Sequence, residues 1–559
     1  MLKSLVLGTF CFIFACASLA QTLPPEDVRT AAFTEMVETM TRLDGEALFV
    51  RANRPTTWIQ QTKSLLKEAR EASSIFELLR TFYRLDASYP NLHSKVQPGP
   101  RYSNLIPKRI RPQIRFLSEW YAENHSRYVI MNTVPGKDVH IGDEVIAING
   151  RLMRDWEEEN FEFCKLPLKA QCNANLNDAF QKELLSWNRS IPLSYTIKRG
   201  EKVWTIAVDL EDYTPTPPSL KDIYCKHSPN RYSGFDLVYS GNRACVYQSK
   251  TDPKVALLRI TSFAYPRDFL ENGETLTSVD KEVDALYPWW SQNANWDHLV
   301  IDVIDNHGGE APIAYYQILL QKDFQEQYVT FIKTPEMEDP KIRESLFWGE
   351  KAQEIWFRNL VSSGVWGSLN YGDKTPHVPM FCADSNRDCS QGLFPVRPHP
   401  FVGKVSVLVS EWCVSSCDGF VYTMRDEFRS RARFFGLPQA ADSAYSRLQI
   451  NLEFDSTLPR GYKIEVAPLY APIQNSTFVS QVIVYTQSTT ASGEIVSGIP
   501  VTIDGFVPRT LQNFSRWPEA VLGEALRKSW PVAPQPVAPQ PVAPQPVAPQ
   551  PVAPQPVAP

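Results

Sequence analysis

The chain has 559 residues, a net charge of −5, 43% apolar residues and 12% aromatic residues. The slightly acidic balance excludes the global basic footprint of a nucleic-acid-binding protein, and the aromatic content excludes wholesale disorder. The length between its two unusual ends predicts three to four domains of roughly 150 residues each.

Residues 1–20 have the composition of a signal peptide. Lys3 provides the positive start, an apolar run follows, and the small residues Ser18 and Ala20 fit a cleavage site before position 21. The run is too short to span a bilayer comfortably, and a lipid anchor at Cys16 is the weaker alternative. We therefore expect a periplasmic or secreted protein without an integral membrane span.

Export changes how the cysteines are interpreted. Cys11 and Cys16 would leave with the signal peptide, and an even number would remain in an oxidising compartment, which favours disulfide bonds. Sequence neighbours suggest four pairs, although spacing does not fix the connectivity: 164–172, 225–245, 382–389 and 413–417. Free buried thiols are the alternative. Because no cysteine pair has C-x-x-C spacing and no histidine lies at ligand spacing beside one, zinc is not expected. The sequence also lacks G-x-G-x-x-G, Walker and H-E-x-x-H motifs, and we expect no metal and no cofactor.

The region after the signal peptide is predicted to be helical. Apolar residues recur at helical spacing in three successive segments between positions 28 and 82. The third helix should end near Pro90, and the loop that follows contains His93. We assign residues 21–100 to this N-terminal helical region.

Residues 112–212 have the pattern of a small β-rich module. Position 144 begins a strand that ends in a tight Asn149-Gly150 turn, and a hairpin is predicted at 193–210. The stretch 177–187 between them is more helical.

Residues 225–510 alternate predicted strands and helices. Strands are expected at 255–260, 298–304 and 405–409, and helical patterns follow the last two. This alternation predicts an α/β core, in which functional loops lie at the carboxyl ends of the strands.

The C-terminal end differs from the rest of the chain. Residues 511–530 are expected to form a helix, and residues 531–559 repeat Pro-Val-Ala-Pro-Gln. The repeats favour extended polyproline II because proline excludes helices and central strands. The tail could be a spacer, a ligand for a partner or an inert linker.

The strongest chemical signal is the segment 413–420, Cys-Val-Ser-Ser-Cys-Asp-Gly-Phe, between a predicted strand and a helix. The hydroxyl of Ser415 would lie at the strand end, where a helix N-terminus stabilises a developing oxyanion. Serine and aspartate at a helix start are also ordinary capping residues, so the segment alone supports both interpretations.

Three segments, in this order, resemble the tail-specific, or C-terminal-processing, serine peptidases. Segment 142–150 resembles the PDZ-module signature Gly-Asp-x-Ile-x-x-Val-Asn-Gly, and segment 301–309 resembles the family's Leu-Asp-Leu-Arg-x-Asn-x-Gly-Gly. Ser415 and Asp418 fit the family's nucleophile-x-x-acid pattern, with Asp426 at the expected position beyond them. The resemblance implies an α/β catalytic domain with a crotonase-like ββα core and a PDZ-like β-rich module, next to the N-terminal helical region.

The chain departs from the bacterial enzymes at the base. Those enzymes use a lysine in the segment after the nucleophile, and the comparable stretch 436–442 has none. Another branch, which includes the chlamydial protease-like activity factor, tricorn-like enzymes and fungal secreted relatives, uses a histidine before the PDZ module. The fungal Cys-Ala-Ser-Thr-Cys segment resembles 413–417. This resemblance implies Ser415 as nucleophile and His93 as general base.

The same branch places a glutamate late in the catalytic domain. The resemblance therefore implies Glu494, with Glu465 as the second candidate, as the carboxylate that orients His93. A carboxylate in this role holds the imidazole in one tautomer and orientation.

Backbone amides of Gly308, Gly309 and Ser416 are implied as the oxyanion hole, because glycine allows close approach of the chain to a substrate carbonyl. Proteins or peptides would be the substrates, and a peptide carboxy-terminus could bind the PDZ-like module before Gly142.

Two functions follow from these patterns. The first is an exported serine endopeptidase. The second, motivated by the missing lysine, is a catalytically inactive PDZ-type scaffold that binds peptides.

Overall fold

The structure is a computed structural model. It describes residues 22–45, 55–89, 91–107, 110–122, 125–162, 164–174, 176, 192–213, 224–227, 231–265, 270–271, 274–275, 277–349, 351–384, 386–388, 393–428, 431–442, 446–490 and 493–527. The expected signal peptide, the helical stretch 177–187 and the repeat tail lie outside the described residues. Among the described helices, none is both long and apolar enough to cross a membrane.

The elements follow one another in three groups. The first group is α1 (Glu26–Leu43), α2 (Pro55–Glu71), α3 (Ile75–Ala87) and β1 (Lys95–Pro98). The second is β2 (Ile110–Pro112), β3 (Phe116–Ala122), β4 (His125–Ile130), β5 (Glu144–Ile148), β6 (Arg151–Leu152), α4 (Met153–Glu162), α5 (Lys169–Ala174), β7 (Leu193–Arg199), β8 (Lys202–Val208) and β9 (Leu210–Asp212).

The third group is the longest. It comprises β10 (Phe235–Ser240), β11 (Ala244–Ser249), β12 (Val255–Ile260), β13 (Leu270–Glu271), β14 (Glu274–Thr275), α6 (Val279–Asn293), β15 (His298–Asp302), α7 (Ile313–Leu319), β16 (Tyr328–Phe331), α8 (Pro340–Leu346), α9 (Lys351–Ser362), α10 (Val365–Ser368), β17 (Val378–Pro379), β18 (Lys404–Val409), α11 (Ser416–Phe428), β19 (Ala432–Gly436), β20 (Arg447–Phe454), β21 (Tyr462–Pro468), β22 (Thr477–Val484), β23 (Thr486–Thr489), β24 (Gly505–Phe506) and α12 (Trp517–Arg527).

A seven-stranded sheet forms the centre, in the order β10-β11-β12-β15-β18-β19-β24. Its strands from β12 to β24 run parallel, and both faces are covered, with Ile301 and Val407 in one core and Val300 and Leu408 in the other. Parallel strands buried on both faces need such continuous apolar runs. The loops after β15, β18 and β19 leave the same edge of the sheet, so the residues in them can meet.

The N-terminal helices pack on a second, four-stranded sheet, in the order β1-β22-β20-β21. Phe82 of α3 lies between Phe33 and Phe478, with ring centroids 5.4 and 5.8 Å apart. Strand β1 is fixed by antiparallel pairing with β22. The loop between α3 and β1 is therefore anchored at both ends.

The middle of the chain forms an antiparallel sheet in the order β3-β4-β5-β7-β8, with β6 paired to β5. Its strands enclose a separate apolar core that contains Phe116 and Tyr195. Strand β5 and the hairpin β7-β8 coincide with the strands expected from the sequence.

Three of the four expected disulfide bonds are present: Cys164–Cys172, Cys225–Cys245 and Cys413–Cys417. The fourth expected pair includes Cys389, which lies outside the described residues. Disulfide bonds are typical of proteins in oxidising compartments.

A buried ion cluster fixes the end of β15. Asp302 has a fully buried side chain, 2.8 Å from Arg231 and 3.7 Å from Arg259, and it accepts a hydrogen bond from the Tyr232 hydroxyl. Burial raises the pKa of Asp302, but the two arginine charges more than offset this effect, and the pKa lies below its usual value.

We expect Asp302→Ala to lower the free energy of unfolding by about 3–5 kcal/mol, because it leaves buried cations without their anion. Urea denaturation measures the effect. Asp138→Ala is the control, because the half-exposed Asp138 pairs with Arg199 and Lys202 on the surface, where solvent screens the charges and the loss of a pair costs little. Equal losses of unfolding free energy in the two variants would contradict the stabilising role of the buried ion cluster.

Candidate active site

Ser415 lies at a sharp turn between β18 and α11. Its φ is 62°, a left-handed conformation that is uncommon for residues other than glycine and that clusters at functional sites. Its amide donates to the Asp442 carbonyl at 2.8 Å, and its own carbonyl accepts from Gly419. The half-buried serine directly precedes a 13-residue helix, whose N-terminus carries partial positive charge.

The Cys413–Cys417 disulfide closes this turn covalently, with Cα atoms 5.1 Å apart. Both cysteines are fully buried, and the Cys413 carbonyl accepts from the Ala440 amide at 2.9 Å. The sequence left open whether these cysteines are bonded or free, and the structure has them bonded. The turn that carries Ser415 is therefore constrained on both sides.

His93 lies in the anchored loop between α3 and β1. The side chain of Asn91 accepts from the amides of His93 at 2.8 Å and of Ser94 at 3.2 Å, which forms a local turn of the Asx type. Asn91 and Ser94 are buried. These hydrogen bonds fix the backbone at His93 and at Ser94.

Asp442 joins the two segments. Its Oδ1 is 2.8 Å from Nδ1 of His93, and its Oδ2 accepts from the Leu92 amide. Its carbonyl is the acceptor of the Ser415 amide. His93 and Ser415 therefore both contact one residue, whose side chain is 6% exposed.

Asp418 in turn holds Asp442. The fully buried carboxyl group of Asp418 accepts from the amides of Ala441 at 3.0 Å and of Asp442 at 2.7 Å. Burial raises the pKa of Asp418 well above its usual value, although the backbone hydrogen bonds oppose the rise. Helix α11 thus fixes the backbone of the loop after β19.

The two glutamates expected to orient His93 have other partners. Glu494 pairs with Arg425 at 3.0 Å and is half-exposed, while Glu465 pairs with Lys463 at 2.6 Å on the surface. The carboxylate beside His93 is that of Asp442. The sequence could have pointed to Asp442, because this residue follows β19, the parallel neighbour of the strand β18 that precedes Ser415.

Gly308 contacts Ser415 but does not offer a free amide. Its N–H donates to Oδ1 of Asn306 at 2.9 Å, so the amide expected to serve an oxyanion hole already has an acceptor. A Cβ at Gly308 would lie 2.3 Å from the Val414 carbonyl oxygen and 2.8 Å from Cβ of Ser415. The residue must be glycine for Ser415 to come this close.

Gly309 and Ser416 retain available amides. The Ser416 hydroxyl donates to the Gly309 carbonyl at 2.6 Å, and the hydrogen bonds within the described part of the chain use neither residue's N–H. Both residues line a cleft of about 680 Å³, together with apolar side chains such as Val329, Met380 and Phe394. Two amides of this kind can stabilise negative charge on a bound oxygen.

Among the described residues, no cluster of three or more His, Cys, Asp or Glu side chains could hold a metal ion.

Comparison with solved structures shows which fold this is. The chain is similar to mature CPAF, the chlamydial protease-like activity factor, in complex with lactacystin, with a TM-score of 0.61, 13% sequence identity, and coverage of 89% of this chain and 98% of that chain. Another structure of mature CPAF gives a TM-score of 0.60 at 12% identity, covering 88% of this chain and 95% of that one. No protein-family model and no curated protein matches the sequence. The mixed helix and sheet fold expected from the sequence resemblance is thus confirmed.

We expect Gly308→Ala to destabilise the protein more than Gly136→Ala does. The φ angle is 79° at Gly308 and 78° at Gly136. Each substitution should therefore cost about 1–2 kcal/mol of backbone strain. Only at Gly308 does the new Cβ collide with neighbouring atoms, since the space around Gly136 is open. The collision should add about 1–3 kcal/mol, measured by urea denaturation, and equal costs would contradict the close contact with Ser415.

Proposed function

We propose that this protein is an exported serine endopeptidase, in which Ser415 is the nucleophile and His93 the general base. The observation that supports it best is the pair of contacts at Asp442, whose carboxylate meets His93 and whose carbonyl meets the Ser415 amide. A serine hydroxyl needs a base within reach to become a nucleophile at neutral pH. The fold shared with CPAF agrees with this activity.

The proposed base works through its two ring nitrogens. An ionised carboxylate only accepts hydrogen bonds, so Nδ1 of His93 carries the proton in the contact with Asp442. Nε2 is then the nitrogen that takes the proton from the Ser415 hydroxyl and later gives it to the leaving amine. Asp442 stabilises the imidazolium formed between these two steps.

The proposed oxyanion hole consists of the Ser416 amide at the start of α11 and the Gly309 amide in the loop after β15. As Ser415 attacks a substrate carbonyl, negative charge develops on the carbonyl oxygen. The two amides and the helix N-terminus stabilise that charge. Gly308 acts sterically, because its missing side chain leaves room for the nucleophile. The cleft lined by Gly309 and Ser416 would hold the substrate beside the nucleophile.

The finer architecture belongs to the same proposal. We assign residues 225–510 to a catalytic domain with a crotonase-like ββα core and residues 112–212 to a PDZ-like module. The antiparallel sheet around β5 and the left-handed Gly142 before it suit a module that receives a peptide carboxy-terminus. The three disulfide bonds support export to an oxidising compartment.

We expect Ser415→Ala to reduce hydrolysis of a denatured protein substrate by a factor on the order of 10⁴ or more, because the nucleophile is removed. A fluorophosphonate probe should label wild-type protein at Ser415 and leave the variant unlabelled. Ser103→Ala is the control, since the Ser103 hydroxyl bonds only the Pro100 carbonyl at an exposed site. Unchanged cleavage by Ser415→Ala, with an unchanged urea midpoint, would refute the proposal. Failure of the probe to label folded wild-type protein would favour the catalytically inactive peptide-binding scaffold.

We expect Asp442→Asn to lower kcat by about 10³–10⁴-fold, because the amide no longer holds the imidazole in the productive tautomer. Glu494→Gln should leave kcat within about twofold, because it alters only a half-exposed ion pair with Arg425. Steady-state kinetics on one peptide substrate compares them. The opposite order of the two effects would return the orienting role to Glu494.

A further inference from the structure

The segment from Cys164 to Cys172, which we call the 164–172 loop, contacts both loops of the proposed active site. It follows α4 and includes the start of α5, and its ends are joined by a disulfide bond. Cys172 is fully buried. No step of the proposed chemistry uses this loop, so its contacts call for a separate explanation.

The first set of contacts reaches the loop that carries His93. Nζ of Lys165 donates to the Ser94 carbonyl and to the Ser94 hydroxyl, both at 3.0 Å. It also pairs with Asp86 at 2.8 Å, and Asp86 accepts from the same Ser94 hydroxyl at 3.1 Å. Lys165 therefore fixes the residue next to His93 through two direct hydrogen bonds and through the Asp86 carboxylate, which both residues contact.

The second set reaches the loop that carries Asp442. Nε2 of Gln171 donates to the Gln439 carbonyl at 2.6 Å and to the Pro438 carbonyl at 3.1 Å. Oε1 of Gln171 accepts from the Leu168 amide within the 164–172 loop at 3.1 Å. Gln171 is fully buried, so both ends of its amide group are held in place.

A small apolar cluster connects the same loop to Ser415. Leu166 and Cys172 are buried together with Ala440, and Val414 packs against them. Val414 directly precedes Ser415, and Ala440 lies two residues before Asp442. The 164–172 loop thus touches a neighbour of each of the three proposed catalytic residues.

We propose that Lys165 and Gln171 are positioning residues for the proposed peptidase reaction. This inference rests on the proposed function. His93 and Asp442 are 349 positions apart and both lie on loops, so their relative position must be fixed by contacts from outside. Lys165 and Gln171 supply such contacts from one disulfide-closed segment. A misplacement of about 1 Å can cost on the order of 100-fold in rate.

We expect Lys165→Met and Gln171→Met each to lower kcat by about ten- to hundredfold with little change in KM. Titration to completion with a fluorophosphonate gives the concentration of reactive enzyme, and dividing the maximal rate by it gives kcat per folded molecule. The urea midpoint is measured in parallel. Lys165→Arg, which keeps donors at the end of the side chain, should restore most of the activity. The pH profile of kcat should also change, because the imidazole is less well oriented.

Matched controls separate positioning from general stability. Lys137→Met removes another lysine contact with a backbone carbonyl, that of Ala207 at 3.1 Å. Gln449→Met removes a buried glutamine that donates to the Ala471 carbonyl at 2.9 Å. Both controls should keep the wild-type kcat per folded molecule.

The outcomes are distinct. Full kcat per folded molecule in Lys165→Met, with an active wild type, would overturn this inference and leave the proposed function intact. If Gln171→Met does not fold, the comparison of Lys165→Met with Lys165→Arg decides the question, because the arginine variant keeps a cation beside Asp86. A wild type that neither cleaves peptides nor reacts with the fluorophosphonate would overturn both proposals.

Discussion

The arrangement of the proposed site depends on one buried carboxylate, that of Asp442. It contacts His93 through its side chain and Ser415 through its backbone. Burying a charge is costly unless hydrogen bonds and opposite charges compensate, and this carboxylate has the Leu92 amide and the imidazole as donors. In the proposed mechanism an ionised carboxylate accepts but does not donate, and it therefore places the proton on the ring nitrogen of His93 that faces it.

Asp442 is held in this position by groups that do not touch the reacting atoms. Asp418 fixes its backbone amide from inside helix α11, and the Cys413–Cys417 disulfide fixes the turn on the other side. The 164–172 loop then links the surroundings of His93 to those of Asp442. These layers reduce the freedom of three loops that come from distant parts of the chain.

The sheet topology explains why these loops meet. Strands β15, β18 and β19 are parallel neighbours, so the Gly308-Gly309 turn, Ser415 and Asp442 all follow strand ends at one edge. His93 arrives differently, from the helical region, because β1 joins the four-stranded sheet through β22. The proposed base is therefore positioned by the packing of α1–α3 on that sheet, and not by the central sheet.

Local pattern determined much of this protein. Apolar periodicity located the helices of the N-terminal region and the buried strands β12, β15 and β18, and the ordered motifs around Gly142, Gly308 and Ser415 indicated the fold. The cysteine positions suggested three disulfide bonds that the structure contains.

Only the tertiary structure decided which carboxylate meets His93. Asp442 and Glu494 both lie in the late part of the chain. Sequence spacing does not tell which of them follows a parallel strand to the sheet edge at which Ser415 lies. The same holds for Gly308, whose amide is used by Asn306, and for Lys165 and Gln171. Their contacts join segments far apart in sequence, and no local pattern records such contacts, because they arise only when separate sheets and loops pack together.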